Sequence, residues 1–453
     1  MNIIELLKQS EGKTLEFKRD LTSPVNILRT ITAFANTAGG TLIIGVEDKS
    51  RFIIGIKEPH QLEEKLANLI SDTIAPNLFP DIDTIPWRDT YLLIVRVFPS
   101  STRPHYYKKL GLKDGVYIRV GSTNRKADPE MIQELSRIVR NETFDEQPLA
   151  KLNSEEIDFR AASEHFIKIK QLTNKDLETL EIVIDHQGKK VPTIAGVILF
   201  GKNRTKFFPD AWIQAGRFKG IDKSLIIDNV EFHSYPIDAI EEVIKFIEKH
   251  AMQSLKIDGI RHQKSWSVPI HAVREAIINA VVHADYSQHG TPIRVAIFDD
   301  RIEIDNPGLL RFGLTIPDIK QGISKLRNRI MGRIFHTIGL IERWGSGVQR
   351  IIGSCREGGF PEPKFEEIGT HFRVTIFTNR SKKTSILDPI NQKVIELLNQ
   401  HSEGLATNKI AEQINLSVRA TRTRLLKLIE LGLVIEVASS PQDPQRLYFT
   451  SSD

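Results

Sequence analysis

Residues 273–286 place the tightest constraint on how this chain can fold, because they put two different faces on one helix. Apolar residues recur there at helical spacing: Val273, Ala276, Ile277, Ala280 and Ala284. That spacing predicts a helix with one stripe facing a core. A second stripe carries Glu275, Asn279 and His283, four residues apart. Because a carboxylate, an amide and an imidazole are costly to bury without partners, this stripe indicates a pocket that holds a metal ion and a polar ligand.

Two glycine-containing motifs follow this helix along the chain. The sequence DNPG at 305–308 comes directly after a strand-like run at 301–304, and GSG at 345–347 comes directly after ERW. A polar helix, DNPG after a strand and a glycine pair before a helix resemble, in this order, the GHKL ATPases. The resemblance is closer to a divergent branch that carries a helicase-like C-terminal label. Pro307 stands where the family usually has glycine, so the loop after Asp305 is expected to be stiffer.

The GHKL resemblance implies an ATP site with a Mg²⁺ ion. It assigns Asn279 as the Mg²⁺ ligand, Glu275 as the general base of the members that hydrolyse ATP, and Asp305 as the residue that reads the adenine amino group. The last glycines let backbone amides approach phosphates at the start of a helix. The other residues assigned to the cofactor are His283, Gly308, Gly345 and Gly347. Whether ATP is hydrolysed or only bound stays open.

Three blocks near the N-terminus form a second and more specific signal. They read EGKTLEFK at 11–18, FANTAGG at 34–40 and IGVEDKS at 44–50. Alternation at 14–18 predicts a strand, and the apolar run at 41–46 predicts a buried strand. The blocks, in this order, resemble the Schlafen AlbA-like domain over about the first 130 residues.

In nucleolytic Schlafens, two glutamates and an aspartate at matching positions form a metal-dependent RNA-cleaving centre. The resemblance therefore assigns Glu11, Glu16 and Asp48 as ligands of Mg²⁺ or Mn²⁺, which prefer carboxylate oxygens. Lys18 lies on the same side of its strand as Glu16 and is assigned to neutralise the phosphate. The alternative is that Glu11 and Asp48 are solvated ends of secondary structure in a domain that only binds nucleic acid.

Two sets of basic residues predict contacts with nucleic acid. Near the first domain, Arg119, Arg125 and Lys126 accompany aromatic residues, a combination that suits RNA. Near the C-terminus, residues 385–453 predict a winged helix-turn-helix whose third helix is capped by Ser417. That helix carries four basic residues and no acid over 418–428: Arg419, Arg422, Arg424 and Lys427. Such a helix suits the major groove of DNA, although winged helices also serve as dimerisation domains.

The expected fold class is a multidomain α+β chain with four parts. They are a Schlafen AlbA-like α/β domain (1–140), a connecting α/β scaffold module (141–260), a GHKL or Bergerat-type ATPase-like α/β sandwich (261–380) and the winged helix (385–453), with a polar linker at 381–384. Within them, residues 195–201 predict a buried strand, residues 325–337 predict a helix, and residues 293–298 and 301–304 predict a hairpin.

Composition and hydropathy exclude some classes of protein and predict where the protein is located. A formal charge of +5 permits a nucleic-acid partner, and a single cysteine, Cys355, excludes disulfides within the chain and thiolate metal clusters. The N-terminus lacks a basic segment followed by an apolar one, and no apolar run approaches the roughly 20 residues that span a bilayer. We expect a cytoplasmic protein with no membrane contact. A homo-oligomer is expected by analogy with GHKL modules.

Two functions from different classes fit these patterns. In the first, the chain is an ATP-gated endoribonuclease that cuts tRNA or another structured RNA as a stress or antiphage effector. In the second, it is an ATP-responsive transcriptional regulator that binds DNA and has no nuclease activity. The carboxylates at 11, 16 and 48 favour the first, and the basic C-terminal helix favours the second.

Overall fold

The computed structural model describes residues 3–48, 51–250, 253–258, 261–266, 268–342, 345–378, 388–401, 403–440 and 442–451. Contacts divide the chain into two compact units, one formed by Met1–Ile132 with Lys383–Asp453 and the other by Gln133–Lys382. The predicted linker at 381–384 and the Arg343-Trp344 pair lie outside the described residues. The multidomain α+β class is confirmed, because both units combine helices with β-sheets.

The first unit begins with an α/β domain. Its elements are α1 (Ile3–Leu7), β1 (Leu15–Lys18), α2 (Pro24–Asn36), β2 (Gly40–Ile44), α3 (Pro59–Thr73), β3 (Ile74–Ala75), β4 (Asp81–Trp87), β5 (Thr90–Val97), β6 (Tyr106–Tyr107), α4 (Gly111–Asp114), β7 (Tyr117–Val120) and β8 (Thr123–Lys126). Among the described residues, four strands form a sheet in the order β1-β2-β5-β4, with β1 parallel to β2. Alternation sends Leu42 and Ile44 towards α2 and α3 and Ile43 to the opposite face.

The second unit is built on a larger sheet. Its elements are α5 (Pro129–Val139), α6 (Phe159–Phe166), α7 (Asn174–Thr179), β9 (Val183–His186), β10 (Lys189–Pro192), α8 (Ile194–Phe200), α9 (Arg204–Phe207), β11 (Ile213–Phe218), β12 (Ile226–Phe232), α10 (Pro236–His250), β13 (Gln253–Asp258), β14 (Arg261–Trp266), α11 (Ile270–His283), β15 (Ile293–Ile297), β16 (Arg301–Pro307), α12 (Ile316–Lys320), α13 (Arg329–Thr337), α14 (Gly347–Glu357), β17 (Lys364–Ile368) and β18 (His371–Phe377). Two short 3₁₀ helices lie at Phe144–Glu146 and Ser154–Glu156.

The sheet of the second unit crosses a predicted domain boundary. In the described chain, six strands pair in the order β12-β11-β15-β16-β18-β17, so strands from 141–260 and 261–380 share one sheet. A single hydrophobic core runs from Ile157 to Ile376. The boundary predicted at 260 is therefore not a division between separate cores. The predicted β15–β16 hairpin is present, and the apolar stripe of α11 is buried in this core.

Two predicted elements differ from the structure. Residues 195–201 are predicted as a strand, but residues 195–200 belong to helix α8 and Gly201 follows it. The Thr193 side chain caps the start of the helix by accepting a hydrogen bond of 3.1 Å from the Gly196 amide. All residues of α8 are buried, so the apolar run carries no periodicity to separate helix from strand. The helix predicted over 325–337 begins only at Arg329. Its first amides donate to the buried Asp145 carboxylate, including Ile330 at 2.8 Å and Met331 at 3.0 Å.

The C-terminal segment completes the first unit. It contains α15 (Pro389–Gln400), α16 (Thr407–Gln413), α17 (Val418–Glu430), β19 (Val434–Val437) and β20 (Leu447–Thr450). Three helices followed by an antiparallel hairpin are the order predicted for a winged helix. Ser417 caps α17 as predicted, because its side chain accepts from the Ala420 amide at 3.2 Å. Among all described residues, no helix combines the length and apolarity needed to cross a membrane.

Candidate functional sites

Four polar side chains from separate positions meet at the end of strands β1 and β2. Glu16 and Lys18 lie on β1, Glu11 lies in the turn before it, and Asp48 follows β2. The Lys18 ammonium lies 2.5 Å from a Glu16 carboxylate oxygen and 3.8 Å from an Asp48 carboxylate oxygen. This convergence follows from the parallel pairing of β1 with β2, which brings the ends of the two strands to one edge.

Glu11 is the most perturbed acid of this group. Its carboxylate accepts a hydrogen bond from the Phe17 amide at 2.7 Å. Partial burial raises the pKa of Glu11 to about 7, and a hydrogen bond with the Asp48 carboxyl group and the nearby charge of Glu16 add to the increase. Burial and neighbouring carboxylates therefore favour the protonated form of Glu11 more than usual for a glutamate.

Arg119 does not take the role predicted from the sequence. Only 1% of the residue is exposed, and its guanidinium contacts the Glu16 carboxylate and donates to the Gly12 carbonyl at 3.0 Å. It also donates to the Asn124 side-chain oxygen at 3.0 Å and lies over the ring of Phe34. A guanidinium enclosed in this way cannot reach a phosphate backbone. Arg119 holds Glu16 in place instead.

The other predicted nucleic-acid residues differ in their availability. Arg125 is exposed on β8, and its neighbour Lys126 pairs with Asp114 at 2.6 Å while both side chains remain about half exposed. On α17, three basic side chains are exposed: Arg419, Arg422 and Lys427. Arg424 is half-buried and lies 2.8 Å from Asp388, the residue that caps α15. Arg424 therefore fastens α17 to α15 and is not free for DNA.

In the second unit, the polar stripe of α11 meets the start of α14. A Cβ added to Gly347 would lie 2.6 Å from a Glu275 carboxylate oxygen and 2.9 Å from the Asn279 amide nitrogen. Arg350, one turn further along α14, donates to the same Glu275 oxygen at 3.0 Å. The absence of a side chain at Gly347 lets Glu275 and Asn279 approach the start of α14 this closely. The structure brings Glu275, Asn279 and Gly347 together as the sequence predicted.

Asp305 lies away from that group, contrary to its predicted role. Its neighbours Ile302 and Ile304 enter the core with α11, so alternation along β16 directs Asp305 to the opposite face of the sheet. There it accepts two hydrogen bonds from Arg373, at 2.6 and 2.8 Å. The buried Asn306 takes the core face instead. An adenine contact by Asp305 beside Asn279 is not compatible with this arrangement.

The remaining predicted cofactor residues lie in other surroundings. Gly308 has a φ of +99°, and a Cβ there would approach the Arg327 guanidinium carbon to 3.2 Å. Burial, with the positive charges of Arg327 and Arg311, lowers the pKa of His283 to about 4 and keeps its imidazole neutral. Gly345, with a φ of +67°, packs instead against the loop at 322–324.

Two arginines organise these surroundings through ion pairs that the sequence did not predict. Arg350 pairs with Glu275. Its position one helical turn after Gly347 could have predicted this contact, because residues three apart lie on the same face of a helix. Arg327 is 7% exposed as a side chain, contacts Glu134 and lies 3.8 Å from Asp285. No local pattern predicts that pairing, because Glu134 comes from a distant helix. Within the described ranges, no group of three or more His, Cys, Asp or Glu side chains is arranged to hold a metal ion.

Two protein families match separate parts of the chain. Residues 11–128 match the family described as "Schlafen, AlbA_2". Residues 290–376 match the family described as "Putative ATP-dependent DNA helicase recG C-terminal". The chain contains an AlbA_2 domain and an ATPase-like domain. The AlbA_2 match includes Glu11, Glu16 and Asp48, whereas the ATPase-like match begins after Glu275 and Asn279.

Two solved structures are similar to this chain. The DIP2311 protein from Corynebacterium diphtheriae is 20% identical to this chain, with a TM-score of 0.45. The match covers 94% of this chain and 91% of the DIP2311 chain. The N-terminal domain of the "Putative ATP-dependent DNA Helicase RecG-related Protein" from Nitrosomonas europaea is 25% identical. It covers 28% of this chain and 94% of its own, with a TM-score of 0.23.

Proposed function

We propose that the AlbA_2 domain is a metal-dependent centre that cleaves RNA, and that the ATPase-like domain binds ATP and controls this activity. The observation that carries the proposal is the meeting of Glu11, Glu16, Asp48 and Lys18 at one edge of the first sheet. Three carboxylates held close together repel one another unless a positive charge lies between them. Such clusters are common at functional sites.

The carboxylates at this edge are the type of ligand that a divalent cation uses, but Lys18 occupies the space between them, so they form a metal site only once Lys18 moves. Lys18 already places a positive charge between Glu16 and Asp48, and the raised pKa of Glu11 marks a second point where positive charge is favourable. Carboxylate oxygens are the ligands that Mg²⁺ and Mn²⁺ prefer. We infer that Glu11, Glu16 and Asp48 would hold the ion, with Lys18 displaced towards the substrate.

Each residue has a separate task in this proposal. A bound divalent ion would polarise a phosphate and make bound water more acidic. Glu11 would release its proton when the ion binds, and the carboxylate oxygen that does not hold the ion would then be available to accept a proton from the attacking water. Lys18 neutralises charge on the phosphate, and Arg119 keeps the Glu16 carboxylate in place. The exposed Arg125 on β8 supplies a contact with the RNA backbone.

The ATP part of the proposal rests on the contact between α11 and α14. Asn279 lies against Gly347 in the first turn of α14, so a phosphate bound by the amides at the start of α14 would lie near the Asn279 side chain. The Arg350 pair with Glu275 occupies the side chain that a hydrolysing site would need as a base. We therefore propose binding of ATP as the control step, with hydrolysis requiring that this ion pair open.

Asn279→Ala is expected to weaken Mg²⁺-dependent ATP binding by at least about tenfold, because a methyl group cannot replace an oxygen ligand. Isothermal titration with ATP in Mg²⁺ measures the effect. Asn229→Ala, at an exposed position on β12, is the matched control and should bind as the wild type does. Equal affinities in Asn279→Ala and wild type would remove Asn279 from the site.

The nuclease proposal is tested by incubating the full chain with labelled tRNA, single-stranded DNA and duplex DNA. Each substrate is tested with Mn²⁺ or EDTA, and with or without ATP. We expect cleavage of tRNA that requires Mn²⁺ and changes when ATP is added. Intact substrates under every condition would overturn the proposal.

A second candidate is an ATP-responsive DNA-binding regulator without nuclease activity. The observation that favours it is the exposure of Arg419, Arg422 and Lys427 on a single helix, α17. In that case duplex DNA binds without cleavage, and the affinity falls steeply with salt because phosphate contacts release counterions. Arg422→Ala would then reduce the salt dependence, while Arg424→Ala would act mainly through stability.

A further inference from the structure

The hairpin of the C-terminal segment is part of the core of the N-terminal domain. Ile435 and Val437 on β19 and Phe449 on β20 are buried in the same hydrophobic cluster as Phe17 and Ile43 from the first sheet. Phe449 is only 1% exposed. The hairpin therefore covers, with α1, the face of the sheet that α2 and α3 leave open.

The same hairpin holds the loop that carries Asp48. The two arms of this loop, residues 46–48 and 51–54, pair through a bridge between Val46 and Ile53 and a hydrogen bond of 2.9 Å from the Glu47 amide to the Phe52 carbonyl. The Ile53 amide then donates to the Ala438 carbonyl at 3.0 Å. Ala438 directly follows β19, so the outer arm of the loop lies between the sheet and the hairpin.

Arg88 fastens the hairpin from the other side. It lies in the turn between β4 and β5 and donates to the Asp443 carboxylate at 2.8 Å and to the Gln445 carbonyl at 3.1 Å. The Asp443 side chain is only 3% exposed. A buried carboxylate depends strongly on its positive partner, so the loss of Arg88 would loosen the end of the hairpin.

We propose that this hairpin, held by Arg88, is a positioning element for the proposed metal site of the AlbA_2 domain. It fixes the outer arm of the loop, and through that arm the place of Asp48 beside Glu11 and Lys18. The C-terminal segment is then a structural part of the site as well as a surface for nucleic acid. The inference rests on the proposed function for its metal-binding consequence, but the mechanical link can be measured without it.

The test compares Arg88→Gln with Arg96→Gln in the full chain. Arg96 is the matched control because it lies in the same β4–β5 hairpin and pairs with an aspartate, Asp83, which belongs to the first sheet and not to the C-terminal segment. Amide hydrogen exchange is measured at Ile53 and Glu47. We expect exchange about tenfold faster at both amides in Arg88→Gln and unchanged exchange in Arg96→Gln. Equal exchange in the two variants would overturn the positioning role.

Mn²⁺ affinity supplies a second readout that separates the inference from the proposed function. Loss of a residue that supports a metal ligand typically weakens binding about 10- to 100-fold, and we expect that range for Arg88→Gln. Faster exchange with unchanged Mn²⁺ affinity would show that the hairpin holds the loop but does not position the site, which contradicts the proposal. If the wild type binds no Mn²⁺, the proposed function fails, and the exchange comparison alone decides whether the hairpin holds the loop.

Phe449→Leu gives an independent variant that keeps an apolar side chain in the shared core. It should accelerate exchange at Ile53 in the same direction as Arg88→Gln, because both loosen the hairpin on the sheet. Exchange at Ile94, in the centre of the sheet, serves as the internal reference for global unfolding. Acceleration of Ile94 and Ile53 by equal factors would mean general destabilisation and would contradict a specific role.

Discussion

Glu11→Gln is expected to lower metal-dependent cleavage by about 100- to 10,000-fold, the range that a positioned general acid or base contributes. Glutamine keeps the oxygen that accepts from the Phe17 amide, so the turn before β1 should be preserved. What it loses is a negative charge for the cation and a site that can accept a proton. Initial rates of tRNA cleavage in Mn²⁺ measure the effect.

Glu47→Gln is the control for this prediction. Glu47 is adjacent to Asp48, but its carboxylate lies 3.6 Å from Arg19 rather than within the cluster. We expect its activity to stay close to that of the wild type. If the two variants cleave tRNA equally fast, the carboxylate cluster is not the cleaving centre.

The pKa of Glu11 also predicts a pH dependence. Because this pKa is raised from 4.5 to about 7, the cation must displace a proton below pH 7 and should bind more weakly as the pH falls. Without metal, the folded state favours the protonated acid. The raised pKa of Glu11 therefore stabilises the folded state below pH 4.5, and this stabilisation is lost as the pH rises to about 7. Glu11→Gln should flatten both profiles, as measured by Mn²⁺ titration and urea unfolding.

Arg119→Met is expected to lower the free energy of unfolding by about 3–5 kcal/mol, the usual cost of removing one partner from a buried ion pair. The substitution removes a positive charge from the buried Glu16 and leaves the Gly12 carbonyl without its donor. Urea unfolding of the full chain, followed with a probe in the first unit, measures the change. A loss below about 1 kcal/mol would contradict the buried positioning role.

Arg125→Met separates this structural role from a role in nucleic-acid binding. Arg125 is exposed, so its substitution should leave unfolding nearly unchanged and weaken RNA binding instead. Glu16→Gln combined with Arg119→Met should recover part of the lost stability, because the double variant no longer buries an unpaired carboxylate. Full additivity of the two single changes would argue against a direct interaction.

The sequence predicted those features of the sites that depend only on residues close together in the chain. Helical periodicity places Glu275 and Asn279 on one face of α11. Strand alternation places Glu16 and Lys18 on one side of β1. Both arrangements are present in the structure. Asp305 shows the limit of this reasoning, because a shift of one residue along a strand moves a side chain to the other face. The chain places Asn306 on the core face and Asp305 with Arg373.

Other features depend on contacts that no local pattern contains. Arg119 looks like any basic residue beside aromatic ones, and only the packing of β7 against α2 shows that its guanidinium is buried. Asp145 determines where α13 begins, although it lies 185 positions before Ile330. Residues 195–201 carry no periodicity because every side of α8 is covered.

The shared core of the C-terminal hairpin and the first sheet also constrains the order of events during synthesis. Asp443 lies 355 positions after its partner Arg88, so the ribosome must make this whole intervening segment before the contact can form. Until then the nascent AlbA_2 domain leaves one apolar face without its final cover, a condition that attracts chaperones and promotes aggregation. A product of premature termination would lack the hairpin and carry an incompletely supported carboxylate site. The arrangement thus delays a fully supported site until translation has passed Asp443.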